Sequence, residues 1–102
     1  MNLSMIKQAM ELKSKMEKIQ KELAKERIEV SDKDELINIV VNGQQKIISI
    51  KIAPEIMDPS RPDKLEKLLH KTIVKALEDS KKMANERLEE ITNGINIPGL
   101  TS

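Results

Sequence analysis

Eight lysines are the residues of this chain whose type and spacing could do chemistry. Lys7, Lys18, Lys21 and Lys25 recur in the first quarter, and Lys64, Lys67, Lys71 and Lys75 in the third, each set spaced so that a helix would carry it along one flank. Such a row of ammonium groups neutralises a polyanion as a line of point charges, without the bidentate fork that arginine brings to a base edge. Other chemistries find little support. His70 is the only histidine and lies between Leu69 and Lys71, so a structural or solvent-facing role is the better reading than a general base or a metal ligand. Three glycines, at positions 43, 94 and 99, cannot form a phosphate-cradling loop, and Glu89 with Glu90 reads as a solvated pair. Without cysteine there is no thiolate nucleophile, disulfide or cysteine-ligated zinc. The methionines at 1, 5, 10, 16, 57 and 83 could suggest a soft metal site, but on helices without His or Cys partners core packing is the better reading. No catalytic residue, metal, cofactor or small-molecule substrate is expected.

The elements that must position the lysines follow from hydrophobic period. Met5, Ala9, Leu12, Met16, Ile19 and Leu23 alternate in steps of four and three, a heptad seam widened by Ile6 and Met10. Gly and Pro are absent from Leu3 to about Arg27, and Asn2 or Ser4 can cap the start, so this stretch is read as a helix about 35 Å long. Lys7, Lys18, Lys21 and Lys25 fall roughly 160 to 220° from its seam. The period then changes to two. Ile28 and Val30 begin a strand, Ser31 to Glu35 is a polar turn, and Ile37, Ile39 and Val41 line one face of a second strand. Asn42-Gly43 is a hairpin signal, after which Ile48, Ile50 and Ile52 are expected to share the face of Ile37, Ile39 and Val41. A single helical turn over Glu55 to Met57 and a stiff connection through Pro59 and Pro62 lead to a second long helix, from Pro62 to about Thr92. Its inward stripe runs through Leu65, Leu69, Ile73, Ala76, Leu77, Ser80, Ala84, Leu88 and Ile91, with Lys64, Lys67, Lys71 and Lys75 facing away.

The expected fold class is α+β: a long N-terminal helix, a three-stranded antiparallel sheet and a long C-terminal helix. One domain is expected over residues 1–94, with Gly94 as the helix stop and 95–102 as a loosely ordered tail. The seam, the second helix and the two part-apolar sheet faces carry more apolar stripe than one small protomer can bury, which predicts a homodimer. The first residues lack the apolar run of a signal peptide and no stretch approaches a membrane span, so no membrane partner is expected. With no Phe, Tyr or Trp, binding of single strands by base stacking is disfavoured.

Net charge is only +1, so attraction to a polyanion depends on how the charges are distributed. Leu3 to Arg27 holds seven basic and four acidic residues. Two readings of the lysine rows stay open. Glu11 with Lys15, Lys13 with Glu17 and Glu17 with Lys21 are i,i+4 pairs of the kind that solvated helices use. Alternatively, the rows contact a polyanion; charge pattern alone leans to the solvated reading.

A resemblance shifts that balance. Ile6-Lys7-Gln8-Ala9-Met10 followed by a Lys/Gln/Met/Glu-rich helix, Ile28 to Val30, Val40-Val41-Asn42-Gly43, Ile50-Lys51-Ile52-Ala53-Pro54-Glu55, a long last helix and Gly94-Ile95-Asn96-Ile97-Pro98-Gly99 together resemble the YbaB/EbfC family of bacterial nucleoid-associated DNA-binding proteins. The resemblance implies a homodimer with helices projecting as tweezer-like arms, a duplex DNA partner and a cytoplasmic, nucleoid location. It would make both lysine rows DNA-binding. The chain departs from the pattern at the acidic turn Ser31 to Glu35, where the family is usually Gly-rich, and at Val74-Lys75, where an Asn-acid pair is common. An acidic turn facing DNA would repel phosphate. The rival reading is a dimeric interaction or accessory factor in DNA repair or replication that never touches DNA itself.

Overall fold

Asn2 opens the first helix by accepting the backbone N–H of Ser4 on its Oδ1 at 3.0 Å, so the cap is Asn2 and not Ser4. This computed structural model describes residues 2–92. The expected stop at Gly94 and the tail 95–102 lie outside the described residues. Helix α1 spans Leu3–Lys25 and is followed by β1 (Ile28–Ser31), β2 (Ile37–Val41), β3 (Ile47–Ile52), a 3-10 turn (Pro54–Ile56) and helix α2 (Pro62–Thr92). The α+β architecture expected from the periodicities is the one observed.

The three strands form an antiparallel sheet in the order β1-β2-β3. Val30 pairs with Ile39 and Ile28 with Val41, while Ile39 also pairs with Ile50 and Ile37 with Ile52, so these side chains share one face. Helix α2 lies across β1 and β2 on that face, and Val30, Ile37, Ile39, Val41 and Ala76 form the buried core between them. The opposite face carries Glu29, Ser31, Asn38, Ser49 and Lys51 beside Val40. Asn38 Nδ2 donates to Glu29 Oε1 at 2.6 Å and to Ser31 Oγ at 2.8 Å across its surface.

Two local expectations are corrected. A β-bulge lies between Val40 and Val41 and their partners, so Val41 pairs with Ile47, and Ile48 is the additional residue rather than a member of the regular alternation. Ile47 therefore packs on the core, and Ile48 is left exposed. Methionine also departs from its expected place: Met5, Met10, Met16 and Met57 are exposed in the single chain. The only buried residue of α1 is Leu23. The molecule is accordingly long, 68 × 26 × 19 Å, with a radius of gyration of 19.3 Å. A compact chain of this length would have a radius of about 13 Å.

Candidate nucleic-acid interface

The position of the first lysine row depends on how the base of α1 is fixed. Gly43, at the tip of the β2–β3 hairpin, donates its backbone N–H to the carbonyl of Leu23 at 2.8 Å. A Cβ at position 43 would lie 2.7 Å from Leu23 Cδ2 and 2.9 Å from Leu23 O, so glycine is required here for close approach. The left-handed residue of this hairpin is Gln45, with φ 62°. Asn42-Gly43 thus marks the β2–β3 hairpin, as expected, and its glycine is in addition the docking point for α1.

Further polar contacts complete the joint. Asn42 Nδ2 donates to the Ala24 carbonyl at 3.3 Å, and its Oδ1 accepts the N–H groups of Gln44 and Lys46. Ser80 of α2, fully buried, donates its hydroxyl to Asn42 O at 2.7 Å and accepts the Gln45 N–H at 2.9 Å. Seven residues further along α2, Arg87 reaches Glu26 at 3.0 Å and Glu22 at 3.4 Å on α1. The hairpin, α1 and α2 therefore meet in one hydrogen-bonded junction. No buried side-chain N or O among the described residues lacks a partner.

Beyond this junction α1 runs on with little cover. Leu3, Met5 and Met10 are 81%, 66% and 67% exposed. Lys7, Lys18, Lys21 and Lys25 are all exposed along this arm and span about 27 Å at 1.5 Å per residue. Lys64, Lys67, Lys71 and Lys75 are also exposed, but they stand over the sheet and line one side of a groove whose other side is the β1–β2 turn. Lys75 pairs with Asp79 at 3.4 Å, an exposed i,i+4 contact of small energetic weight. The α1-contacting Arg87 stands 12 residues past Lys75, about 18 Å along α2, so the two rows occupy different parts of the molecule.

The acidic turn is ordered by its first carboxylate. Asp32 accepts the N–H of Ile37 on Oδ1 at 2.7 Å and that of Asp34 on Oδ2 at 3.1 Å. These bonds, that from Ile37 first, hold its carboxyl below its ordinary value of 3.8. Glu35 takes the left-handed conformation, φ 55°, that a Gly-rich turn would have adopted without strain. Before α2, Asp58 accepts the side-chain and backbone donors of Ser60, which likewise lower its pKa.

Sequence reading set Ser80 on the inward stripe of α2 without its hydrogen bonds, missed Arg87, and read Gly43 for the hairpin but not for its contact with α1. The bonds of Ser80 and Arg87 carry no local signal, because their partners are 35 to 65 residues away. Among the described residues no group of three or more His, Asp or Glu side chains is placed to hold a metal ion, and no helix is long and apolar enough to cross a membrane.

Comparison with known proteins gives the family of the chain. The profile of the YbaB/EbfC DNA-binding family matches residues 1–95. A nucleoid-associated protein of Clostridium kluyveri is 35% identical over 97 residues, covering 95% of this chain and 85% of the relative. One from Myxococcus xanthus is 38% identical over 96 residues, covering 94% of this chain and 91% of its own. Another, from Ruminiclostridium cellulolyticum, is 36% identical over 98 residues, with coverages of 95% and 85%.

Proposed function

The chain belongs to the YbaB/EbfC DNA-binding family, and on that premise we propose that it is a non-enzymatic, nucleoid-associated protein that binds duplex DNA as a homodimer, through lysine–phosphate contacts of low sequence specificity. The observation that carries this reading is the row Lys7, Lys18, Lys21 and Lys25, exposed along an arm that projects from the folded base. Its length of about 27 Å approaches one helical turn of duplex, about 34 Å. Lysine neutralises phosphate without reading a base edge, which accounts for the low specificity. The row Lys64, Lys67, Lys71 and Lys75 takes a subordinate part, because Asp32 and Asp34 across the groove repel phosphate. That its relatives are nucleoid-associated proteins supports a nucleoid location for this chain as well.

Apolar surface supports the homodimer. Helix α2 covers β1 and β2 but leaves the outer strand β3, where Ile48 and Ile50 are 42% and 43% exposed. Pairing of two β3 edges would cover these residues and satisfy the free backbone groups of both strands. It would also double the number of lysine rows presented to one duplex.

The test is a mobility-shift titration at several salt concentrations beside sedimentation equilibrium, monitored by peptide-bond absorbance because the chain lacks aromatic residues. A dimer engaging about four to six phosphates gives a log affinity against log salt slope of about −4 to −5. Replacing Lys7, Lys18, Lys21 and Lys25 together by Glu flattens that slope and abolishes retention at moderate salt. A flat salt response of the native chain, or unchanged retention after charge reversal, sinks the phosphate-contact mechanism and leaves the accessory-factor reading.

A further inference from the structure

Lys67, Lys71 and Lys75 follow one another at single-turn spacing on α2, an arrangement of like charges that disfavours a helix unless anions compensate it. Lys75 has its counter-ion in Asp79 at 3.4 Å, and the charge of Lys64, a turn earlier, acts on Asp58. Lys67 and Lys71 make no ion pair among the described residues. They stand exposed, about 6 Å apart along the axis. Both border the groove between α2 and the β1–β2 turn, which encloses about 590 Å³, a size usual for small-molecule sites. Val30 and Leu36 from the sheet side and Leu68 from α2 make its floor apolar. The buried Thr72 hydroxyl in that floor already donates to the Leu68 carbonyl at 2.7 Å and asks no hydrogen bond of an occupant.

An apolar floor beside an uncompensated ammonium pair narrows the choice of occupant. A duplex could touch only the rim, and its phosphates gain nothing from the floor. A nucleobase finds no ring to stack on, because the chain has no aromatic residue. A strand added at β1 turns every second side chain away from α2 and cannot serve floor and lysines together. A sugar or an inorganic anion leaves the floor uncovered. One flexible apolar tail ending in a single anionic head satisfies both parts. The opposite wall fixes its direction, since Asp32 and Asp34 stand there and repel the head towards α2.

We propose that this groove binds a free single-chain fatty acid, its carboxylate held between the Lys67 and Lys71 ammonium groups and its alkyl chain laid along Val30, Leu36 and Leu68. The tail contributes affinity in proportion to the apolar surface it covers. The ammonium pair contributes orientation through charge-assisted hydrogen bonds, and the bound carboxylate removes the repulsion between the two lysines. A second copy of the chain is a poor substitute, because its own uncovered apolar stripe, on α1, lies among lysines that the α2 row repels.

Methyl-labelled full-length chain titrated with octanoate, decanoate and laurate, each below its micelle concentration and observed by NMR, provides the test. The expected result is saturable movement of the Val30, Leu36 and Leu68 methyls, with affinity rising about tenfold for each added pair of methylenes. Lys67→Glu with Lys71→Glu, both exposed, should weaken laurate binding about tenfold or more while the circular dichroism spectrum is kept. On the native chain, dodecyltrimethylammonium, an equally long tail with a cationic head, should leave the floor methyls unmoved. Affinity independent of chain length overturns the proposal in favour of unspecific charge attraction. Equal binding of the cationic amphiphile overturns it in favour of unspecific apolar adsorption, as does movement of the exposed Met5 and Met10 methyls of α1 in place of the floor methyls. The absence of laurate binding also overturns it, and floor methyls that answer phosphatidylglycerol vesicles but not laurate assign the groove to a membrane surface instead. None of these outcomes depends on whether the α1 row binds DNA.

Discussion

The two ends of α1 carry the same heptad pattern and meet opposite fates. At its base Leu23 is buried, its carbonyl accepts the Gly43 N–H, and Arg87 of α2 bridges Glu22 and Glu26. Towards the tip the same stripe continues through Met16, Met10 and Met5 with those side chains exposed. A periodic apolar stripe therefore reports that a helix forms and which side is apolar, but not what covers it. Burial at the base comes from the hairpin and α2, both distant in sequence.

Leu23→Ala should have the largest effect on this contrast. Truncating a fully buried leucine at the junction lowers stability by about 2–5 kcal/mol in a urea titration followed by circular dichroism. Ser80→Ala comes next, at about 1–3 kcal/mol, because it strands the buried Asn42 carbonyl and the Gln45 N–H together. A loss well below that range would mean that water replaces the hydroxyl and that the junction is less tightly closed than its distances indicate. Met10→Ala at the tip should change stability by less than about 0.5 kcal/mol. A greater loss that increases with protein concentration would sharpen the comparison differently, by placing a second copy over the tip.

The smallest effect is confined to acid. Because the Asp32 carboxyl is held below 3.8 in the folded chain, its contribution is complete above that value and is lost as pH falls through the lower folded value. The stability advantage of the native chain over Asp32→Asn should thus be constant near neutrality and shrink below pH 3.8. The hairpin junction, built on Ser80, Asn42 and backbone groups, has no such titration. An advantage that persisted at pH 2 would contradict the assignment of the turn to an ionised Asp32.

Local period made most of the architecture legible. The step of four and three in α1, the step of two from Ile37 to Val41, and Pro62 ahead of the second stripe each marked an element within a few residues of its observed bounds. What escaped was set by contacts across long stretches of chain. The bulge that moved Ile47 to the core depends on pairing with Val41, and no residue type at position 48 announces it. Asn42-Gly43 marked the hairpin, but nothing local showed that its glycine is also needed for the 2.9 Å approach of Leu23 O. The lysines were legible as rows, but the groove that the α2 row lines was not. It arises only when the acidic turn folds against α2.

The junction at Leu23 and Gly43 gives α1 the mechanics of a lever with its fulcrum at one end. From Leu23 to Leu3 the helix extends about 30 Å, so a rotation of about 5° at the base carries Leu3 through about 2.6 Å, while Lys25 hardly moves. Successive lysines along the arm thus sweep progressively wider arcs. A rod hinged in this way can follow the curvature of a long surface without disturbing the packed sheet from which it is held.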